Sequence, residues 1–175
     1  KPIKSNIKIE TVNYCPEKKY KIKKNYNNKE IFKIGFIGSN NPINTSGINN
    51  FIDNFSKLDF KNIELHIAGL VCDKINSQHS WIKKHYIIPE EELVEFYELI
   101  DLLINPMPIN TTGLKIKTVV AILNKIPIIG TKDAFTGIKT SSRWHQIDSI
   151  ENLVNEVYKI FNNRKFIDEI KIASD

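Results

Sequence analysis

The residues best suited to chemistry form a short segment in the second half of the chain, where Thr112 and Gly113 precede Lys115 and Lys117. Thr112 can cap a helix predicted over residues 113–124, and Gly113 has no side chain to block an approaching ligand. Backbone N–H groups at a helix start favour an anion. Two lysines there oppose the helix dipole by about 0.3–1 kcal/mol each, and a bound phosphate would reverse that sign. In a chain this rich in lysine the same pair also arises by chance, so the residues alone leave both interpretations open.

Other reactive side chains carry weaker signals. The four histidines, His66, His79, His85 and His145, lack the spacing of metal ligands, and no bound metal is expected. His66 alternates within a predicted strand, which favours a core or loop-facing histidine over a catalyst. Cys15 and Cys72 have no histidine partner in sequence that would make either a nucleophile. We interpret Trp81 and Trp144 as packing anchors rather than as platforms for a sugar ring.

The elements that would position these residues alternate regularly between strand and helix. Short apolar runs predict strands at residues 32–38, 63–69, 85–88, 101–106 and 127–131, with a short strand near 145–147. Apolar residues at three-and-four spacing predict helices after Ser46, after Pro89, over 113–124 and 149–161, and a last segment over 166–172. Near-continuous apolar strands between helices indicate an α/β fold with a doubly wound parallel sheet.

Ligands of such sheets bind beyond the carboxyl ends of the strands, at the point where the strand order reverses. This rule assigns four segments to the functional edge: Gly38 to Asn40, Gly69-Leu70, residues 105–113, and Gly130-Thr131. Residues 33–175 are predicted to form this domain. Residues 1–32 are predicted to form an edge segment, with a strand through Ile3 to Val12, and an irregular polar connector.

The composition and charge of the chain argue against a nucleic-acid-binding protein. The 175 residues carry a net charge of +5, which raises the question of nucleic acid. The positive charge is almost all lysine, with only Arg143 and Arg164 as arginines, and it is scattered rather than gathered on one face. We interpret it as a bias of composition and expect no nucleic-acid partner. The one dense cluster, Lys18 to Lys24, is interpreted as a solvated connector.

Targeting and compartment signals are few. No apolar run reaches the roughly 18–20 residues of a membrane-spanning helix. Two cysteines are too few for a disulfide framework, which favours a reducing compartment and a cytoplasmic location. The chain opens on Lys1 and shows no secretory leader, so we expect a fragment of a longer protein.

Three segments in order resemble the retaining glycosyltransferases with the two-domain GT-B architecture, the group often called family 4. The stretch from Gly113 through Lys117, the apolar helix, and Ile126 to Thr131 is similar to their donor-binding signature. The helix and strand over residues 89–106 resemble the preceding family segment. Ile34 to Ser39, with Pro42 and Asn44, is similar to the first strand and its glycine loop. Together the matches cover about residues 33–138.

The resemblance implies the C-terminal, Rossmann-like half of such an enzyme, which would bind a nucleoside diphosphate sugar as substrate without a metal or other cofactor. It also implies a missing N-terminal domain and a glycan or lipid-linked acceptor, with peripheral association at the inner membrane face left open. Lys115 and Asn110 would be the catalytic residues, Lys115 neutralising the leaving diphosphate and Asn110 contacting the sugar. The binding residues would be Gly38, Ser39, Gly113, Leu114 and Lys117 at the diphosphate, Thr118 at the ribose and Ile88 at the base.

Two departures keep other hypotheses open. The family commonly carries two glutamates eight positions apart, and the matching residues here are Asn110 and Thr118. No arginine and lysine pair for the diphosphate follows Gly38. A second hypothesis is therefore a catalytically inactive binding module that keeps the fold. A third is another nucleotide-using α/β enzyme, although a dinucleotide-binding Gly-x-Gly-x-x-Gly motif is missing after the first strand.

Overall fold

Five parallel strands form one sheet in a computed structural model that describes residues 30–86, 89, 92–108, 110–111 and 113–173. The strands are β1 (Phe32–Ile37), β2 (Ile63–Ala68), β3 (Ile82–Tyr86), β4 (Leu102–Asn105) and β5 (Ile128–Gly130). Their order is β3-β2-β1-β4-β5, and every neighbouring pair is parallel. The predicted doubly wound α/β sheet is confirmed.

The order of the strands reverses at β1. Gly35 of β1 pairs with His66 of β2 on one side and with Leu103 of β4 on the other. The chain therefore moves outward from β1 to β3 and then crosses back to place β4 beside β1. The loops that follow β1 and β4 diverge at this point, which leaves a crevice at the carboxyl edge of the sheet.

Helices cover both faces of the sheet. They are α1 (Pro42–Phe55), α2 (Leu93–Leu99), α3 (Ile116–Leu123), α4 (Ile150–Asn162) and α5 (Phe166–Ala173). Side chains alternate along a strand, so each face has its own core. Phe32, Ile34 and Phe36 of β1 pack among α1, α4 and α5. Leu103 of β4 and Ile128 of β5 pack among α2 and α3 on the opposite face.

Three helices do not begin at the residues that the sequence predicts. Helix α1 is capped by Asn41 rather than Ser46, because Asn41 Oδ1 accepts a 2.8 Å hydrogen bond from the Asn44 backbone N–H and Pro42 suits the first helical position. Helix α3 begins at Ile116 rather than at residue 113, since Gly113 has a positive φ of 81° that no helical residue adopts. Helix α2 begins at Leu93, later than predicted. The helix predicted over residues 149–161 is α4, and Ser149 caps it by accepting a hydrogen bond from the Asn152 backbone N–H.

The two edges of the sheet also differ from the sequence prediction. Strand β3 begins at Ile82, three residues before the predicted start, and residues 87 and 88 lie outside the described part. Residues 143–145 form a 3-10 helix, and Ile147 makes one isolated parallel bridge to Thr131 in place of the predicted short strand. Residues 1–29, which contain the predicted edge strand and most of the connector, lie outside the described residues, so the domain boundary stays a prediction.

Both tryptophans pack against other rings, as predicted. The Trp81 ring centroid lies 5.6 Å from that of Phe55 and 5.4 Å from that of Phe60. Trp144 is 3% exposed, and the Arg143 guanidinium lies 4.1 Å above its ring. These aromatic contacts join the helices and loops of one face to the sheet.

Gly47 allows α1 to approach the loop after β4. A Cβ atom built at Gly47 would collide with the backbone carbonyl oxygen of Pro106. The contact brings the helix that follows β1 against the chain that follows β4, and it therefore sets the width of the crevice between them.

Gly47→Ala is expected to destabilise the protein by about 1–3 kcal/mol, because a methyl group must be inserted against a backbone atom. The intrinsic helix preference for Ala over Gly, about 1 kcal/mol, acts in the opposite direction. Urea unfolding of this variant and of Ser46→Ala measures the difference, since Ser46 is an exposed neighbour on the same helix. Equal stability of Gly47→Ala and Ser46→Ala would contradict the close packing.

Candidate functional site

A cleft of about 700 Å³ lies at the carboxyl edge of the sheet, where the strand order reverses. The ends of β1 and β2, the loop after β4, and the first turns of α1 and α3 enclose it. The lining residues are Ile37, Gly38, Ser39, Asn41, Ile43, Asn44, Ala68, Gly69, Leu70, Leu93, Met107, Leu114, Lys115, Ile116 and Lys117. Two helix N-termini thus meet at one cavity, and their dipoles both favour an anion there.

A hydrogen-bonded group of uncharged side chains forms one wall of the cleft. Asn44 Nδ2 donates to the Ser39 carbonyl oxygen at 3.1 Å and to Ser39 Oγ at 3.2 Å. Asn41 Nδ2 donates to the same Ser39 Oγ at 3.0 Å. These bonds fix the loop between β1 and α1. Gly69, after β2, packs against this loop. Its φ is 95°, and a Cβ atom at this position would collide with the Gly38 carbonyl oxygen, so a residue with a side chain does not fit.

Lys117 provides a cation inside the cleft. Its Nζ donates a 2.8 Å hydrogen bond to Asn44 Oδ1 and lies 4.3 Å from the centroid of the Phe36 ring. Among the described residues, no carboxylate forms an ion pair with it. Burial, with a smaller contribution from the positive charge of Lys115, lowers the pKa of the Lys117 ammonium to about 7. An anion in the cleft would supply the missing counter-charge.

Lys115 provides a second cation at the entrance. It stands at the N-cap position of α3 without a side-chain capping bond, and its Nζ donates a 2.7 Å hydrogen bond to the Gly113 carbonyl oxygen. Partial burial lowers the pKa of Lys115, and the charge of Asp133 acts in the opposite direction. Gly113 itself is exposed with open space around its Cα, so it leaves the approach to the lysines unobstructed.

The rim of the cleft is apolar. Ile43 is 44% exposed, Leu70 47%, Leu114 41% and Ile116 55%, and all four line the cavity. A cleft with a cationic base and an apolar rim suits an anionic ligand that also carries a flat or apolar group.

The structure brings together part of the predicted site. Gly38, Ser39, Leu114, Lys115 and Lys117 all line the cleft. Gly113 stands beside it as the carbonyl partner of Lys115. Ile88, predicted at the nucleobase, lies outside the described residues.

Two predicted residues are not among those that line the cleft. Thr118 is fully buried: its hydroxyl donates to the Ala134 carbonyl oxygen at 2.9 Å and accepts from Asn105 Nδ2 at 2.8 Å. It therefore presents no hydroxyl to a ribose, which corrects the sequence prediction. Asn110 is exposed with a φ of 67° and is not among the lining residues, so the structure gives no contact between its amide and the cleft.

Sequence reasoning missed Asn41, the lining role of Asn44 and two of the four rim residues, Ile43 and Ile116, whereas Leu70 lies in a segment that was predicted at the functional edge. The signal for Asn41 was present, since an Asn-Pro pair often opens a helix. The signal for Asn44 was weaker, because its partner Lys117 is 73 positions away. Ile43 and Ile116 carry no local signal that separates an exposed apolar residue from a core one.

A histidine pair lies outside the cleft, between β2 and β3. His66 Nδ1 and His85 Nε2 are 2.8 Å apart, and His66 Nε2 lies 3.0 Å from Glu64 Oε2. Burial lowers the pKa of both histidines. Across the described part of the chain, no three His, Cys, Asp or Glu side chains gather into a metal site. In that part, no helix is long and apolar enough to cross a membrane.

Lys117→Met is expected to stabilise the folded protein at neutral pH by on the order of 1 kcal/mol, because it removes a poorly compensated ammonium. The pKa of Lys117 falls from 10.5 to about 7 on folding, so the unfolded chain binds more protons between these values. Stability of the unmodified protein therefore rises with pH through that interval.

Urea unfolding at a series of pH values measures this dependence. The rise with pH should be absent from Lys117→Met and present in Lys57→Met, which removes an exposed lysine that also bonds an asparagine, Asn54. An identical pH dependence in both variants would contradict the desolvation of the Lys117 ammonium in the cleft.

Solved structures that share this fold include glycosyltransferases. TarM aligns with a TM-score of 0.64 and 15% identity over 89% of this chain and 33% of its own. HepE from Anabaena, in complex with UDP and glucose, aligns with a TM-score of 0.60 and 13% identity. The alignment covers 83% of this chain and 42% of HepE. The C-terminal domain of LpcC from Francisella tularensis aligns with a TM-score of 0.56 and 14% identity, over 82% of each chain. At these identities the likeness shows the fold.

The chain spans about a third of TarM and less than half of HepE. No curated protein matches the sequence at a significant level. The family model described as glycosyl transferases group 1 matches residues 31–163, which is most of the chain. On this match, the protein belongs to the group 1 glycosyl transferases and has the fold of a GT-B domain.

Proposed function

We propose that this domain binds a nucleoside diphosphate sugar in the cleft and takes part in the transfer of the sugar to an acceptor. The observation that carries the proposal is the pair of cations, Lys115 and Lys117, at the start of α3 in a cleft whose described lining contains no carboxylate. A site with two cations and no carboxylate attracts a multiply charged anion.

The two ends of the donor suit the two parts of the cleft. The diphosphate would lie against the first turns of α1 and α3, beside Ser39, Lys115 and Lys117. The uncharged ring of the base would contact the apolar rim. HepE, whose domain shares this fold, has been crystallised with UDP and glucose, and this supports a nucleoside diphosphate as the ligand class.

The chemical step in such a transfer is the departure of the nucleoside diphosphate, which gains negative charge as the sugar–oxygen bond breaks. Cations placed beforehand at the leaving oxygens stabilise that charge more in the transition state than in the ground state. We assign this role to Lys115, at the cleft entrance, and to Lys117, at its base. The resemblance to the retaining enzymes leads us to propose transfer with retention.

A complete enzyme of this kind needs a surface for the acceptor. The chain spans only part of TarM and HepE, so we propose that a further domain faces the apolar rim and completes the acceptor site. Glycans and lipid-linked sugars are the acceptor classes we propose, with the reaction in the cytoplasm or at the inner face of a membrane.

A binding module without catalysis is the second candidate. It is favoured by the absence of a carboxylate among the described cleft residues and by the position of Asn110 outside the lining. Such a module would bind the donor and transfer nothing. Release of nucleoside diphosphate on addition of an acceptor separates the two candidates.

Calorimetry of the full chain against UDP-, GDP- and ADP-sugars is the direct test. We expect saturable binding of one nucleotide class, and Lys115→Ala is expected to weaken it about tenfold or more, because a charge-assisted hydrogen bond contributes about 1.5–3 kcal/mol. Lys57→Ala removes the same charge from an exposed site and should leave the affinity unchanged.

Absence of binding to all three nucleotide classes by a folded full chain would overturn the proposal. Binding of NAD in their place would favour the third hypothesis, a different nucleotide-using enzyme. Binding that Lys115→Ala and Lys57→Ala reduce equally would show that the nucleotide lies elsewhere on this basic protein.

A further inference from the structure

Asn44 contacts both walls of the cleft through its side chain. It lies in the first turn of α1 and is 6% exposed. Its Nδ2 donates to the loop after β1 at Ser39, while its Oδ1 accepts from Lys117 at the start of α3. The amide thus spans the point where the strand order reverses.

The chemistry of its partners fixes the orientation of this amide. The Ser39 carbonyl oxygen can only accept a hydrogen bond, so it must face the Asn44 NH₂ group. The Lys117 ammonium can only donate, so it must face the amide oxygen. Rotation of the amide by 180° would place two acceptors together and two donors together. Asn44 is therefore held in one orientation by two neighbours with opposite requirements.

Lys117 depends on Asn44 for its position. Among the described residues, its polar contact is the Asn44 oxygen at 2.8 Å, and its other close contact is the face of the Phe36 ring. A lysine side chain has four rotatable bonds and adopts many conformations when nothing restrains it. Loss of the Asn44 oxygen would release the ammonium from the cleft base and leave it only the aromatic face.

The charged groups around Lys117 do not supply an alternative anchor. From α3, Lys115 repels it. From α1, the neighbouring lining residues are the uncharged Asn41, Ile43 and Asn44, and from β1 the contact is Phe36. The carboxylate of Asp133 acts on Lys115.

We propose that Asn44 is a positioning residue for the diphosphate: it holds the Lys117 ammonium at a fixed place beside the Ser39 loop, so that one anion can contact both at once. The inference rests on the proposed function for the identity of the anion. Asn44 does not itself need to touch the ligand. Its effect on anion binding passes through Lys117, and this distinguishes it from a residue that only caps α1.

A double-mutant cycle on the full chain tests this dependence, with inorganic pyrophosphate as the probe. Asn44→Ala should weaken pyrophosphate binding about five- to tenfold when Lys117 is present. In the Lys117→Met background, the same Asn44→Ala change should alter the affinity less than about twofold. The Asn54 and Lys57 pair at the carboxyl end of α1 is the matched control, since it repeats the lysine-to-asparagine contact on an exposed surface.

A second measurement detects the contact itself. Asn44→Asp keeps the size of the side chain and places a carboxylate beside the ammonium, so the pKa of Lys117 should rise. NMR of lysine labelled at the ε-carbon measures that pKa. If Asn44→Ala fails to fold, Asn44→Leu takes its place in the cycle, because leucine is uncharged, similar in size and has no acceptor oxygen, and its effect on pyrophosphate affinity should again require Lys117.

The outcomes separate the proposals. An equal loss of affinity in both backgrounds, or a Lys117 pKa that Asn44→Asp leaves unmoved, would overturn the positioning role. Absence of pyrophosphate binding would overturn it as well. A coupled cycle in a protein that binds no nucleotide sugar would support the positioning role and contradict the proposed function.

Discussion

The pairing of β1 with β4 is the constraint on which the rest of the molecule depends. These strands are adjacent in the sheet but are separated in the chain by α1, β2, β3 and α2. Because all strands are parallel, their carboxyl ends lie at one edge, and the loops after them turn to opposite faces. The start of α1 and the start of α3 are thereby brought to one cavity, although Asn44 and Lys117 are 73 positions apart.

The same arrangement explains the electrostatic character of the cleft. Two helix N-termini and two lysines converge where the described lining offers amides, hydroxyls and apolar groups but no carboxylate. The folded protein therefore holds an ammonium, Lys117, whose pKa has fallen to about 7 because of its burial. Local instability of this kind is typical of binding sites, which use it to gain affinity for a ligand of opposite charge.

Much of the fold could be predicted from the sequence, since buried parallel strands are continuous apolar runs and the helices show three-and-four spacing. The functional edge of the sheet followed from that topology together with the glycines after β1 and β2. Helix starts were less predictable: Ser46 and Asn41 are both good caps, and only the hydrogen bond from the Asn44 backbone shows which one is used. Gly113 looked helical but has a positive φ.

The individual roles within the site depend on contacts that no local pattern contains. Thr118 matched a family position for the ribose, yet its hydroxyl is hydrogen-bonded to Asn105 and to the Ala134 carbonyl oxygen inside the domain. Asn44 appeared only as part of a loop resemblance, and its partner is supplied by a helix from the other half of the sheet. The sequence thus predicts which edge binds a ligand, whereas packing decides which side chains reach it.

A crystal structure of the full chain with UDP tests the central claim most directly. The account predicts electron density for the diphosphate in the cleft, within hydrogen-bonding distance of Lys117 Nζ, with the uracil ring against the apolar rim of Ile43, Leu70, Leu114 and Ile116. A diphosphate bound at another surface, or in the cleft with its phosphates turned away from α3, would contradict it.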